Sequence, residues 1–421
     1  MPAAANISKR LSFFIVALIL ALFLILLFVF QRYVFVPKII IILLIVLGAA
    51  LMRRLPLLIK DWFVFISFVY LFDSLRGSIY ILTCKLGLPV HATYVIGIEK
   101  ALFGQVPSAV LQARLLDPAK APQFTWLERT LTAFHGSHFL AFLLIGFIIW
   151  LYKSGSFRLF RTSYYLLIFL GVLGYFLIPT VPPWMAANNF GLLPPLIRFN
   201  GIIFNFAIPD LSTGFDTNPI AAMPSLHAAF PLLSSLLLWR VYRWKALAFY
   251  IYAAIVLFTI VYTGDHYITD ILAGSLLAVA CYFLAIRYMK SRPSIGSEAT
   301  TTGVKGPKFD PGGLAKPLLK GLAVLLLGVC IGAVNKVQFT LNASSYGLNA
   351  PRYADFFKHE ETYRTNYKVQ DYLGNHFLLK RDYAKALPYF ERCLSLAADS
   401  SEKSQAQYNL SYCRGLLDRN N

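Results

Sequence analysis

Apolar stretches recur along the whole 421-residue chain, several near the roughly 20 residues that cross a bilayer as a helix, and this limits the fold before any motif is read. Backbone in hydrocarbon must satisfy its own hydrogen bonds, so such stretches are helices. With 57% hydrophobic, 15% aromatic and only 14% charged residues, a soluble enzyme is excluded. The expected fold class is all-α, a polytopic membrane helical bundle. Nine spans are drawn, at about 11–30, 34–52, 58–83, 130–152, 160–180, 221–240, 246–263, 266–288 and 319–337. The first follows Lys9 and Arg10, is longer than a signal-peptide core and lacks a small-residue cleavage site, so it reads as an uncleaved span.

The formal net charge of +19 does not imply nucleic acid, because Lys and Arg cluster at the edges of the apolar spans. With the N-terminus inside, Arg53, Arg54, Lys60, Lys153, Arg158, Arg161, Arg240, Arg243, Lys245 and the basic stretch 287–320 fall on the cytoplasmic side. The segment 181–220 then carries only Arg198, and the turn at Gly264 carries no Lys or Arg. This positive-inside pattern puts residues 179–184, 223–227 and 264–270 together at the outer face. The segment 289–318, rich in Ser, Thr, Gly and Pro, reads as a flexible cytoplasmic linker before the ninth span. The amphipathic piece 94–116, with Pro107 inside it, is expected to lie in the interface or re-enter. Residues 338–421 turn polar and read as an extracytoplasmic helical tail. Leu373, Gly374, Phe377, Ala386, Phe390 and Cys393 match tetratricopeptide spacing there, and the tail is a candidate site for a protein partner. Of five cysteines, only Cys393 and Cys413 are placed to form a disulfide, and none shows metal-ligand spacing.

Two motifs carry the chemistry. Met223-Pro-Ser-Leu-His227 opens one apolar run, and Gly264-Asp-His-Tyr-Ile-Thr-Asp270 opens another. Ionisable groups at such places are costly and are read as functional. Phosphoryl transfer through a covalent intermediate needs a nucleophile, a proton donor for the leaving oxygen and donors for the equatorial oxygens. His266 and His227 suit the first two roles, His266 acting unprotonated and His227 starting protonated. Asp270, one turn beyond His266, biases its ring, while a direct carboxylate–imidazole bond is expected instead to a histidine from elsewhere. A metal shared by His266 and Asp270 is the competing reading, disfavoured because so few carboxylates accompany them; no metal and no cofactor are expected.

These residues resemble the type 2 phosphatidic acid phosphatase superfamily, whose Pro-Ser-Gly-His and His-x-x-x-Asp motifs match Pro224 to His227 and His266 to Asp270. The match is closer to the branch containing inositol phosphorylceramide synthases, which shares Pro-Ser-Leu-His, a His-Tyr followed by Asp, and Pro-Pro-Trp at Pro182 to Trp184. Asp73-Ser-Leu-Arg76-Gly77, Leu102-Phe103-Gly104 with Pro107, and Ser137-His138-Phe139 are similar to bacterial members of that branch. The resemblance covers about 58–288 and leaves the two N-terminal spans of 1–57 and the C-terminal third unmatched. It implies a six-helix catalytic core with its site at the outer membrane face. There His266 attacks phosphorus, Asp270 supports it and His227 protonates the departing alcohol.

The superfamily's Lys-x6-Arg-Pro motif and the Ser-Arg ahead of its second histidine are absent, so two phosphate-holding cations are missing. Candidate substrate-binding residues are Arg76, otherwise a self-neutralising partner of Asp73, and His138, otherwise a helix-packing histidine. Asp265 joins them if it points at a sugar hydroxyl or holds a histidine. Ser225 donates to phosphate or bonds its own backbone; Tyr267 and Trp184 complete the set, Trp184 otherwise being an interfacial anchor. The expected function is an integral-membrane lipid phosphotransferase moving a phosphorylated, inositol-phosphate-like headgroup between lipids through a phosphohistidine. Its partners are a membrane phospholipid donor and a lipid alcohol or water acceptor. Alternatives are a lipid phosphate or polyprenyl diphosphate phosphatase, and a non-catalytic membrane scaffold. The expected location is a bacterial inner membrane, with site and C-terminus extracytoplasmic.

Overall fold

The computed structural model describes residues 36–52, 54–120, 124–207, 218–291, 312–344 and 351–420. The expected span 11–30 and residues 292–311 of the linker lie outside the described residues; the linker's two ends, 289–291 and 312–318, are helical. Helix α1 (Val36–Leu51) is followed by α2 (Leu55–Leu86), which has Pro56 in its first turn and ends at Gly87, whose left-handed φ of 59° lets its N–H return to Cys84 and Thr83 carbonyls. Two short helices come next, α3 (Tyr94–Phe103) and α4 (Pro107–Leu115). Then α5 (Trp126–Tyr152), α6 (Ser154–Leu177), α7 (Pro183–Asn188) and α8 (Phe199–Ala207) lead to α9 (Leu226–Tyr242), α10 (Leu247–Tyr262) and α11 (Ile268–Ser291). Helix α12 (Gly312–Ser344) precedes the tail.

The described residues contain five helical stretches long and apolar enough to cross a membrane, or six if α5, bent by 52° around residue 139, is one span. The stretch Leu226–Tyr262 among them is folded back at Arg243, where φ is 54°. Ser235 Oγ on α9 then reaches the Phe249 carbonyl on α10 at 3.4 Å, and Trp239 meets Tyr250 edge-on. Helices α2, α5, α6, α9, α10 and α11 form an all-α membrane bundle. Its core is aromatic: Phe65, Phe160, Tyr164, Phe142 and Phe230 interlock, and the Tyr164 hydroxyl is satisfied by the Phe230 carbonyl at 3.0 Å and Ser234 at 2.6 Å. Large apolar side chains such as Phe169, Leu276 and Leu319 point outward, as lipid-facing surface requires.

Helix α12 lies along α2. Gly321 faces Phe63, Gly328 faces Tyr70 and Leu71, and Gly332 faces Ser74, each leaving room for close approach. Asn335 then donates to the Ser74 carbonyl at 2.7 Å and accepts from Ser78 at 2.9 Å.

The end of the bundle that carries the two motifs is closed by a small paired patch. His91 N–H reaches the Pro179 carbonyl at 2.9 Å, Val181 N–H the His91 carbonyl at 2.9 Å, and Thr180 N–H the Ile220 carbonyl at 2.8 Å. Strand β1 (Pro89–Val90) also pairs in parallel with β2 (Arg352–Tyr353) of the tail. The tail continues as α13 (Ala354–Lys358), α14 (Tyr367–Leu379), α15 (Tyr383–Leu396) and α16 (Ser400–Asn420). Asp355 accepts from Ala92 N at 2.8 Å, Thr93 N at 3.0 Å and Thr93 Oγ1 at 3.0 Å. Asn366 and Lys368 bond the Phe190 and Asn188 carbonyls at 2.9 and 2.7 Å. Tyr353, Phe356, Val369 and Leu373 thereby share one apolar core with Val90, Phe190 and Tyr267. Cys393 and Cys413, expected as a candidate disulfide, are separate buried thiols, directed at the Tyr367 and Tyr383 carbonyls at 3.8 and 3.4 Å.

Candidate active site

The two motif-bearing helix starts are fastened to each other through their backbones. Ser225 N–H bonds the Asp270 carbonyl at 3.1 Å, and the Ser225 hydroxyl accepts from Ala228 N–H at 3.3 Å as the N-cap of α9. Of the two expectations for Ser225, the structure places its side chain in the backbone role. The joint is tight: a Cβ on Gly274 would lie 2.1 Å from the Ser225 carbonyl oxygen, and one on Gly174 would lie 2.5 Å from Pro224. No side chain fits at either contact.

His227, on the first turn of α9, and His266, in the turn ahead of α11, meet directly, with His227 Nδ1 2.9 Å from His266 Nε2. Asp270 Oδ2 lies 3.5 Å from His266 Nδ1 and accepts from Tyr267 N–H at 3.0 Å. The carboxylate was expected to hold a different histidine, and it faces His266 instead. The reason is local: α11 begins only at Ile268, so His266 is not on the helix and its ring folds down over the first turn. A His266 tautomer protonated on Nδ1 would face Asp270 and leave Nε2 to accept from His227 Nδ1.

A second polar cluster adjoins the first. Asp265 is 7% exposed and accepts from Arg198 Nε at 2.8 Å, Asn200 Nδ2 at 2.7 Å and Thr263 Oγ1 at 2.7 Å. Burial raises the Asp265 carboxyl, but the Arg198 guanidinium, then His135 and the Thr263 hydroxyl, outweigh it and hold the group below the ordinary carboxylate value. Arg198 also covers the Trp184 ring at 4.8 Å. His135 stacks 5.2 Å from His227, with His138 4.6 Å from His227, so four histidine rings line one wall.

The structure brings His138, His227, His266, Asp265 and Asp270 together, with Trp184 reaching them through Arg198. Arg76 on α2 is close enough for its charge to act on His227 and Tyr175. The Tyr267 ring does not join the histidines: it is fully buried in the outer core, and its backbone N–H is what reaches Asp270. Asn188 pins its loop through Leu196 in both directions, at 2.7 and 3.1 Å.

Three participants escaped the sequence reading. His135 carried one available signal, since it sits one helical turn before His138 on α5. Asn200 carried none. Glu99 of α3 is fully buried and accepts from Thr269 N–H at 3.1 Å, capping α11 from a distant helix. Burial pushes its carboxyl up to about 7, against the lowering effect of the Thr269 and Ile268 amides.

Paired imidazoles and a nearby carboxylate, set at the end of an apolar helical bundle, are the kinds of group that phosphoryl transfer through a histidine needs. Residues 95–284 match the PAP2 superfamily. The chain is 28% identical over 158 residues to the inositol phosphorylceramide synthase catalytic subunit of Schizosaccharomyces pombe, covering 35% of this chain and 37% of that one. It is also 28% identical over 223 residues to a phosphoinositol dihydroceramide synthase of Bacteroides thetaiotaomicron, covering 48% of this chain and 70% of that one. The chain thus spans little more than a third of the fungal relative's length. No solved structure matches it.

Proposed function

We propose that this protein transfers a phosphorylated, inositol-phosphate-like headgroup from a membrane phospholipid to a lipid alcohol through a phosphohistidine on His266. The observation that carries the reading is the 2.9 Å approach of His227 Nδ1 to His266 Nε2, with Asp270 3.5 Å behind the second ring. Substrate phosphorus takes the place of that hydrogen bond. The His266 Nε2 lone pair forms an N–P bond as the P–O bond to the diacylglycerol breaks, and protonated His227 gives its Nδ1 proton to the leaving oxygen. In the second half the acceptor hydroxyl passes its proton back to His227, its oxygen bonds phosphorus, and the N–P bond breaks. Asp270 keeps the His266 proton on Nδ1 throughout.

Arg76 and His138 supply positive charge and a ring wall to the phosphate. Asp265, neutralised by Arg198, holds residues 198–200 beside the site, and Trp184 floors the entry. The two relatives, an inositol phosphorylceramide synthase catalytic subunit and a phosphoinositol dihydroceramide synthase, support the headgroup class and a ceramide-type acceptor. The site and tail face the outside of a bacterial inner membrane, on the positive-inside pattern, with the six core helices as the catalytic domain.

The test is incubation of the purified protein in detergent with phosphatidylinositol labelled in its headgroup and a ceramide-type alcohol. Label moving to lipid is expected in the wild type and absent in His266→Ala. Label released only to water would make the protein a hydrolase, and undiminished turnover in His266→Ala would remove the catalytic reading.

A further inference from the structure

We infer that His135 is a further substrate-contacting histidine, whose Nε2–H donates to a non-bridging oxygen of the phosphate held between His227 and His266. The inference rests on the phosphoryl-transfer reading above.

The position of its proton follows from Asn200. That amide accepts from Gly201 N–H through Oδ1 at 2.8 Å, so its nitrogen is the donor, bonding Asp265 Oδ2 at 2.7 Å and His135 Nδ1 at 3.1 Å. His135 Nδ1 is therefore an acceptor, and a neutral imidazole then carries its proton on Nε2. That Nε2 is buried and has no hydrogen-bond partner among the described residues. Asp265 Oδ2, at 3.9 Å, is out of reach and already accepts from Asn200 and from Thr263. A buried, unpaired N–H is costly and calls for a partner.

The surroundings identify that partner as an anionic oxygen. The His135 ring lies 5.2 Å from His227 and nearly parallel to it, with 26° between the planes, so it belongs to the same wall as the proposed proton donor. Asp265, the one carboxylate that would repel phosphate there, is cancelled by Arg198 at 2.8 Å. The chain also lacks both cations that the related motif pattern uses for phosphate, so equatorial oxygens need donors from elsewhere.

Two substitutions separate donation to phosphate from a packing role. His135→Asn places an acceptor near Nδ1 and keeps the bond to Asn200, but removes the Nε2–H. His135→Gln extends an amide N–H toward the Nε2 position and gives up Nδ1. Headgroup transfer, inhibition by orthovanadate and melting temperature are measured on both, with His266→Ala alongside. His135→Asn should melt within a few degrees of wild type yet lose about 100-fold in kcat/KM, with a comparable weakening of orthovanadate inhibition. His135→Gln should stay within about tenfold on both measures. The inference is overturned if His135→Asn turns over like wild type, or if activity in both variants follows melting temperature. Activity surviving in His266→Ala would instead bring down the underlying phosphohistidine reading.

Discussion

The two carboxylates flanking His266 are both buried and five residues apart, yet they live in opposite company. Asp265 is saturated by a guanidinium, an amide and a hydroxyl, all within 2.8 Å. Asp270 has one backbone N–H and the His266 ring, and its Oδ1 has no partner among the described residues. A charge whose neighbours cancel it is structural electrostatics, whereas one left partly unpaired beside an imidazole is free to act on that ring. On the proposed reading, the difference leaves Asp265 to hold Arg198 and the start of α8 against the turn, and Asp270 to govern the His266 tautomer.

The largest expected effect tests the ring between them. His266→Ala should lower turnover by about 10⁴-fold or more, read as loss of an acid-labile labelled enzyme on rapid quench. Asp270→Asn should come next, at about 10³- to 10⁴-fold in kcat with melting temperature nearly unchanged, because the amide N–H forces the His266 proton onto Nε2. Gly274→Ala, with its Cβ driven toward the Ser225 carbonyl at 2.1 Å, should cost about 3 kcal/mol and depress activity with stability. Asp265→Asn should cost about 2 kcal/mol in denaturant titration while kcat falls less than tenfold. If it instead abolishes turnover as completely as Asp270→Asn, the contrast between the carboxylates is broken.

The smallest effect concerns pH. Glu99, at about 7 when folded against 4.5 for the free side chain, holds a proton that the unfolded chain releases between those values. Native protein binds the extra proton, so stability should fall as pH rises through that window. Glu99→Gln, which retains an acceptor for Thr269, should flatten the dependence in melting curves taken from pH 4.5 to 8.

The sequence made the bundle legible because span length and the charges beside it are one-dimensional properties: α2, α5, α6 and α9 to α12 fall within a few residues of the expected spans, α12 running longer at both ends. His227, His266 and Asp270 were legible because they occur in short ordered motifs. The remaining site residues depend on contacts between distant segments. Asn200 acquires a role only when the start of α8 folds back on the 263–265 turn, 65 residues further on, and nothing in its neighbours announces that. Glu99 on an interfacial helix looks like an ordinary polar-face residue until α11 is seen to start against it. Tyr267 misled for the opposite reason, since its place beside His266 in the chain is not a place beside it in space.

The docked tail has a practical corollary. Its helices are anchored to the rims of the catalytic bundle by Asp355, Asn366 and Lys368, while Tyr408 and Tyr412 stack 6.1 Å apart on an outer face that is 65% and 51% exposed at those residues. A bundle of membrane-crossing helices thus carries a polar helical handle. A nanobody raised against that tyrosine face would add mass and orientation for electron imaging, and any allosteric effect it exerted would pass through those anchors and the apolar core that the tail shares with the bundle.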